Sequence, residues 1–405
     1  MVLTIKPDVT IQEFDSSDAA FSYIIGYNER HWKVNRIVYL IFGYIRNGSG
    51  VDSIPEKLEQ ENNIVISDEK LQFIINEVFV KNGLLVGTEV QTEKRKDKGM
   101  WLRITVLPQK AVEKFAFMKA MFAKRIFAVC GIATALFILF FNFRYINDRS
   151  MTALTHAQLN EWVQVLLFMM ISSIVHELGH ASALMYGGES PGRVGAGFYM
   201  IMPVFFADVH NGWKLPRGKR VVVDLGGVYF QGMFLILCWA VNELFLHTVV
   251  IEYCVVFSCI QMIGNFNPFL KMDGYWILSD SLGISNLYDT IWDITAGKLF
   301  RRTPSHQIPF RIALILYVYI ALVLVFITHY SVNYFRLAAV SAKTAWGHLC
   351  ILAEGGISAS DITAQSVFNY VSEYFTVWLV CIVTVILSFR LIRIAFNKLR
   401  CKGAV

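Results

Sequence analysis

Residues 162–185 read WVQVLLFMMISSIVHELGHASALM, and this stretch decides the class of the protein. It is apolar and long enough for a bilayer span, which takes about 20 such residues. Near its end lie His176, Glu177 and His180. Residues four apart share one face of a helix, so both imidazoles can reach one zinc ion while Glu177 flanks it as a general base. Ionisable side chains are costly inside a bilayer and usually mark function.

Composition indicates a membrane protein. Its 405 residues are 55% hydrophobic and only 17% charged, against about 25% charged residues in an average soluble domain. The mean hydropathy is +0.47. The net charge of +6 is small and lies beside apolar segments, which argues against nucleic acid and for a lipid bilayer as partner. The seven cysteines lie mostly in apolar stretches and form no disulfide framework.

Hydropathy predicts a polytopic helical bundle of about six transmembrane helices. The predicted spans lie near 126–145, 162–185, 221–245, 249–269, 312–327 and 375–396. Basic residues precede the first and third spans and follow the last, so all three groups fall on one side. This pattern predicts a multi-pass protein of the cytoplasmic membrane with both termini in the cytosol. Residues 331–373 are then its largest external segment.

The first 112 residues have the pattern of a small soluble α+β domain, because short apolar and polar runs alternate there. Two strands are predicted at residues 21–27 and 31–34, followed by helices that begin at Asn35, near Ser53 and at Ser67. Residues 84–86 and 102–107 are predicted to pair as a hairpin, which gives a winged-helix-like domain. The chain therefore divides into residues 1–112, a cytosolic recognition domain, and residues 113–405, a mainly α membrane domain.

A catalytic zinc needs a third protein ligand, and the sequence offers Asp273. It follows residues 264–272, GNFNPFLKM, which end an apolar span with residues that interrupt a helix. An Asp before a Gly is ordinarily a turn residue, so Asp273 taken alone is ambiguous. The HELGH stretch in a neighbouring span makes a ligand role the better interpretation.

The spacing around Asp273 resembles that of site-2 proteases, a family of intramembrane zinc metalloproteases. That family carries HExxH in one transmembrane helix and Asn-x-x-Pro-x-x-x-x-Asp-Gly in a later one. The matching residues here are Asn265, Pro268, Asp273 and Gly274. Residues between the motifs resemble the peptide zinc metalloprotease branch: Pro203, Asp208, Trp213, Pro216, Arg217 and the pair Gly226-Gly227. Lys271 departs from the pattern, because the family often has a second proline there.

This resemblance implies a zinc metalloendopeptidase with one Zn²⁺ per chain. It implies that Asn265 donates a hydrogen bond to the developing oxyanion, with Asn267 as the nearby rival. Asp208 and Asn267 are also candidates to orient the metal ligands through hydrogen bonds without binding the metal themselves. The expected substrate is a peptide or membrane-associated protein, cut during peptide maturation or export, with a peptide exporter as a further candidate partner.

The N-terminal region resembles PqqD-like domains, which recognise leader peptides. The resemblance rests on residues 32–35, the helix from Ser67 and residues 82–84, NGL. Such domains bind an extended peptide as an additional strand on a sheet edge. A domain that only packs on the membrane part is the alternative.

Two other classes of function are open at this point. A membrane protein that binds or helps to export a peptide without cutting it has no need of Glu177. A transporter subunit lined by these polar residues is the weaker alternative, because it does not explain a general-base Glu between two ligand-spaced histidines. His210, in the loop after the HELGH span, is a rival metal ligand or an ordinary surface histidine.

Overall fold

The computed structural model describes residues 3–322, with gaps at 18–21, 29, 90–99, 147–158, 200–201, 269, 285 and 300–307, and isolated positions up to residue 332. Contacts divide the chain into two units. One comprises Met1–Asp148 and Phe168–Ala313, and the other comprises Arg149–Leu167 and Leu314–Val405. The packing and the site reported below lie within the first unit.

The N-terminal domain is a three-stranded antiparallel sheet followed by helices. The strands are β1 (Thr10–Glu13), β2 (Tyr23–Tyr27) and β3 (Arg30–Val34), in the order β1-β2-β3. The helices are α1 (Arg36–Arg46), α2 (Ile54–Asn62) and α3 (Asp68–Ile74), which continues as a π-helical turn, Ile75–Val80. Asn35 and Ser67 cap α1 and α3 through their side chains, so these two of the three predicted helix starts are confirmed. The core of this domain is drawn from residues 5–85 alone.

The strand predicted at residues 102–107 forms, but its predicted partner is wrong. It is β4 (Met100–Leu107), which pairs with β5 (Val194–Tyr199), and β5 pairs with β6 (Met202–Ala207). Leu85 instead makes an isolated bridge with Ile5. Alternating polarity identifies a strand but not the strand beside it, and the better partner here was a hairpin nearly a hundred residues away. The second sheet therefore joins the linker after the N-terminal domain to the loop between two candidate membrane helices.

Most of the rest of the described chain is helical. Its helices are α4 (Gln109–Glu113), α5 (Lys124–Ile146), α6 (Leu159–Gly187), α7 (Arg217–Val241, extended by a π-helical turn to Leu246), α8 (Val249–Asn265), α9 (Asp273–Leu282), α10 (Leu287–Leu299) and the apolar helix Phe310–Leu322. Among the described residues, α5, α6 and α7 are long and apolar enough to cross a membrane, and they match the first three predicted spans.

The other three predicted spans are not matched by helices of spanning length among the described residues. The helix α8 covers most of the fourth, and Phe310–Leu322 covers most of the fifth, but both are shorter apolar helices of 10–17 residues. The sixth span, at 375–396, and the predicted external segment at 331–373 lie outside the described residues, apart from one position. Among the described residues, three candidate membrane helices are therefore found, at the first three of the six predicted spans.

Close helix packing sets the position of the candidate site. Apolar side chains of α5, α7 and α8 form one cluster that includes Phe141, Leu235 and Val255. The helices α6 and α7 meet at Gly179 and Gly226, where a Cβ on Gly179 would lie 2.2 Å from the Gly226 carbonyl oxygen. Small residues of this kind let helix backbones approach closely in a membrane. The face of α6 that carries the two histidines is thereby pressed against α7.

The segment after β1 contacts both α7 and the end of α9. The backbone N–H of Arg217, the first residue of α7, donates to the Asp15 carboxylate at 3.1 Å. The backbone N–H of Ser17 donates to the carbonyl of Gly283, just after α9, at 2.9 Å. Residues 15–17 therefore satisfy polar groups at the ends of two helices, which would otherwise lack partners.

Candidate metal and catalytic centre

The helix α6 carries three buried polar side chains in two consecutive turns. His176 and His180 are 5% and 8% exposed, and their Nε2 atoms lie 3.1 Å apart. Glu177 is 9% exposed and accepts a hydrogen bond from the backbone of Ala207, the last residue of β6. The end of the second sheet therefore contacts the carboxylate beside the two imidazoles.

Asp273 reaches this group from α9, of which it is the first residue. Its carboxylate oxygens lie 2.9 Å from Nε2 of His176 and 3.5 Å from Nε2 of His180. An acidic side chain is favoured in the first turn of a helix, where the backbone N–H groups point outward. The helix α9 is in turn fastened to α7 by a buried ion pair between Arg220 and Asp280, with Nε and Oδ1 2.8 Å apart.

The three residues predicted as metal ligands are therefore neighbours in space. One ligand atom from each of His176, His180 and Asp273 lies within 4.8 Å of the others, and no other group of this kind occurs among the described residues.

Both imidazoles are oriented through their second nitrogen. Nδ1 of His176 lies 3.0 Å from Oε1 of Gln231, and Nδ1 of His180 lies 2.7 Å from the carbonyl oxygen of Val223. Because both partners are acceptors, each Nδ1 must carry the ring hydrogen. Both Nε2 atoms then present lone pairs toward each other and toward Asp273.

This convergence of acceptors fits a cation. Two lone pairs and a carboxylate repel one another unless a positive charge lies between them. Oδ2 of Asp273 is buried and lacks a hydrogen-bond donor, although Nε2 of His176 is 2.9 Å away, because that nitrogen has no hydrogen to give in this tautomer. Two imidazoles and one carboxylate are a known ligand set for catalytic zinc, which leaves a fourth position open.

The backbone of α7 closes one side of the group. A Cβ on Gly227 would lie 2.4 Å from Nε2 of both His176 and His180. Heavy atoms do not approach a Cβ so closely, so only glycine fits where the helix passes the two nitrogens.

Asn265 and Asn267 lie in the connection between α8 and α9. Asn265 is the last residue of α8 and is half-buried. Asn267 donates its backbone N–H to the carbonyl of Gly264 at 3.0 Å in the turn that follows. The turn therefore lies between the end of α8 and Asp273, and the catalytic roles of both asparagines stay predictions.

Asp208 and His210 belong to the turn after β6. The exposed Asp208 carboxylate accepts the backbone N–H of His210 at 3.2 Å. The ring of His210 lies 5.2 Å from the ring of His31 on β3. Burial, together with the charges of His210 and Lys214, lowers the pKa of His31 to about 4, so His31 is neutral at physiological pH. His210 therefore packs against the N-terminal domain and is not among the grouped ligands.

Sequence reasoning missed Gln231 and gave Gly227 no role of its own. Gln231 is an amide in the middle of an apolar span, and a polar residue in such a place is itself a signal of function or helix pairing. Gly227 was noticed only as half of a Gly-Gly pair.

Comparison with known proteins finds a distant relative. The chain is 21% identical over 204 residues to a Bacillus subtilis (strain 168) protein named peptide zinc metalloprotease protein YydH, whose name marks that activity as provisional. The match covers 50% of this chain and 79% of that protein. No protein family model and no solved structure matches the chain. The relative and the grouped ligands together support a zinc metalloprotease.

Proposed function

We propose that this chain is an intramembrane zinc metalloprotease of the site-2 protease type. Its substrate is a peptide or membrane-associated protein that is cut during maturation or export. The observation that carries the proposal is the grouping of His176, His180 and Asp273 beside the buried Glu177. A distant relative that bears the name of a peptide zinc metalloprotease supports it.

Each residue of the group has a defined task. His176, His180 and Asp273 would hold the ion, and bound zinc supplies the Lewis acidity that activates water and polarises a peptide carbonyl. Glu177 accepts the proton of the attacking water and later returns a proton to the leaving amine. The Ala207 backbone contacts its carboxylate and helps to orient it for this proton transfer. Asn265 donates a hydrogen bond to the oxyanion as the carbonyl is attacked.

The site works at the cytosolic side of the membrane in this proposal. The chain is multi-pass, with both termini in the cytosol, because its basic segments flank the spans on one side. The histidines lie near the end of α6, which faces that same side in this topology. Water then reaches the site from the cytosol without crossing the bilayer.

The metal assignment predicts one zinc per purified chain. His176→Ala and Asp273→Ala should each lose most of this zinc, since removal of one of three protein ligands leaves too few to retain the ion. Metal content is measured by atomic emission after purification in detergent.

His210→Ala is the matched control, because His210 lies in the turn after β6 and packs against His31. It should keep its zinc. Full occupancy in both His176→Ala and Asp273→Ala, or a native protein free of zinc after zinc supplementation, would show the ligand assignment to be wrong.

The N-terminal domain captures the substrate before the membrane part cuts it. A peptide added as a strand to an edge of the sheet β1-β2-β3 gains main-chain hydrogen bonds. Binding there raises the local concentration of peptide at the zinc site. His31 of β3 packs against His210, in the turn after β6, so this domain lies close to the connection that also reaches Glu177 through Ala207.

Titration of the isolated domain with a substrate peptide should therefore give saturable binding. The fragment to use is residues 1–89, because its core is drawn from residues 5–85 and β4 pairs elsewhere. An enzyme that lacks these residues should show a raised KM with a smaller change in kcat. The zinc content of the truncated enzyme is the control. It tests whether the metal site survives the loss of residues 15–17, which contact α7 and the end of α9. No binding by the fragment, together with undiminished cleavage by the zinc-loaded truncated enzyme, would leave the domain a structural role.

A further inference from the structure

A series of side-chain hydrogen bonds links His176 on α6 to α7 and α8. Gln231 on α7 is 1% exposed and lies at its centre. Its Oε1 faces Nδ1 of His176 at 3.0 Å, and its Nε2 lies 3.0 Å from Oγ of Ser172 and 3.3 Å from Oε1 of Gln261 on α8. Each polar atom of this buried amide therefore has a partner.

The last bond of this series, at Ser173, sets the donor and the acceptor of every other bond. The hydroxyl of Ser173 donates to the carbonyl of Met169 at 2.8 Å, and a carbonyl can only accept. Ser173 therefore accepts from Nε2 of Gln261, at 3.2 Å. Gln261 is left with its oxygen toward Gln231, which must present its own nitrogen there. The oxygen of Gln231 then faces His176 and can only accept from it.

We infer that Gln231 is a positioning residue that holds His176 in the Nδ1–H tautomer and so keeps the Nε2 lone pair directed at the metal. The inference rests on the proposed zinc site. Reversal of the His176 bond would require reorientation of Gln231, Gln261 and Ser173 together. In a membrane interior, where water is scarce, reversal of only some of these hydrogen bonds leaves polar groups without partners, which is costly.

Two substitutions at one position separate orientation from packing. Gln231→Met keeps the length and approximate volume of the side chain but removes the acceptor, whereas Gln231→Glu keeps an acceptor for the Nδ1 hydrogen of His176. The full-length protein is titrated with zinc against a chelator, and Co²⁺ is substituted to record the ligand-field spectrum. Loss of a partner that orients a metal-binding histidine typically weakens metal affinity about 10- to 100-fold. We expect that loss in Gln231→Met, with an altered Co²⁺ spectrum, and recovery of most of the affinity in Gln231→Glu.

Ser258→Ala is the matched control. Ser258 is fully buried on α8, and its hydroxyl has no hydrogen-bond partner among the described residues. It should bind zinc like the native protein. Native affinity and spectrum in Gln231→Met, or equal losses in Gln231→Met and Gln231→Glu, would overturn the inference. A native protein that binds no zinc would instead refute the proposed function, so the two failures are distinguishable.

Discussion

Replacement of Glu177 by glutamine is expected to abolish peptide cleavage while zinc and fold are retained. The amide has nearly the same volume as the carboxylate, but it cannot take a proton from water. General acid–base catalysis by a positioned side chain is worth about 10²- to 10⁴-fold in rate, so a loss of that size or larger is expected. Glu177 is not one of the grouped ligand residues, so zinc content should not change.

The measurement is single-turnover cleavage of a substrate peptide by purified native and Glu177→Gln protein at equal zinc occupancy. Glu189→Gln is the control, because it makes the same chemical change in a surface residue that pairs with Lys214 at 3.4 Å. Such surface pairs contribute little to stability. Unchanged cleavage by Glu177→Gln would exclude Glu177 as the base. A cellular phenotype that survives Glu177→Gln would favour the non-proteolytic binding or export partner.

Local patterns predicted local structure well in this chain. The HELGH stretch lies on a long apolar helix, and Asn35 and Ser67 cap the helices that they were expected to cap. These features depend on residues a few positions apart, for which helical geometry and capping give direct rules. Asp273 required a motif from a distant segment, and the structure brings it to the two histidines.

Local patterns do not predict which strands and helices contact each other when they are distant in the sequence. The strand β4 could be recognised by its alternation, yet its partner lies beyond α6, and no local signal points there. Gln231 and Gly227 illustrate the same limit at the site. Both residues matter because they contact the histidines of α6. The sequence of α7 by itself shows only one amide and one small residue.

Gly227→Ala is expected to remove zinc from the protein although it adds only a methyl group. The new Cβ would lie 2.4 Å from Nε2 of both His176 and His180, so the two rings must move. They cannot swing aside freely, because Gln231 and the Val223 carbonyl hold their Nδ1 atoms. The expected result is a fall from one zinc per chain to almost none, with cleavage lost in parallel.

Gly227→Ala should not destabilise the helix α7 itself, so the expected effect is specific to the metal centre. Alanine favours a helix over glycine by about 0.8–1 kcal/mol, so α7 gains propensity. Gly218→Ala, on the same helix, is the matched control, because nothing lies within 4 Å of its added Cβ. Metal content and thermal unfolding are measured for both variants in detergent. Gly218→Ala should keep its zinc and unfold near the native temperature, whereas Gly227→Ala should lose zinc but still elute as a folded species. A Gly227→Ala protein with full zinc occupancy would mean that the imidazoles do not hold the ion at their Nε2 atoms, because those atoms and the new methyl group cannot share the same space.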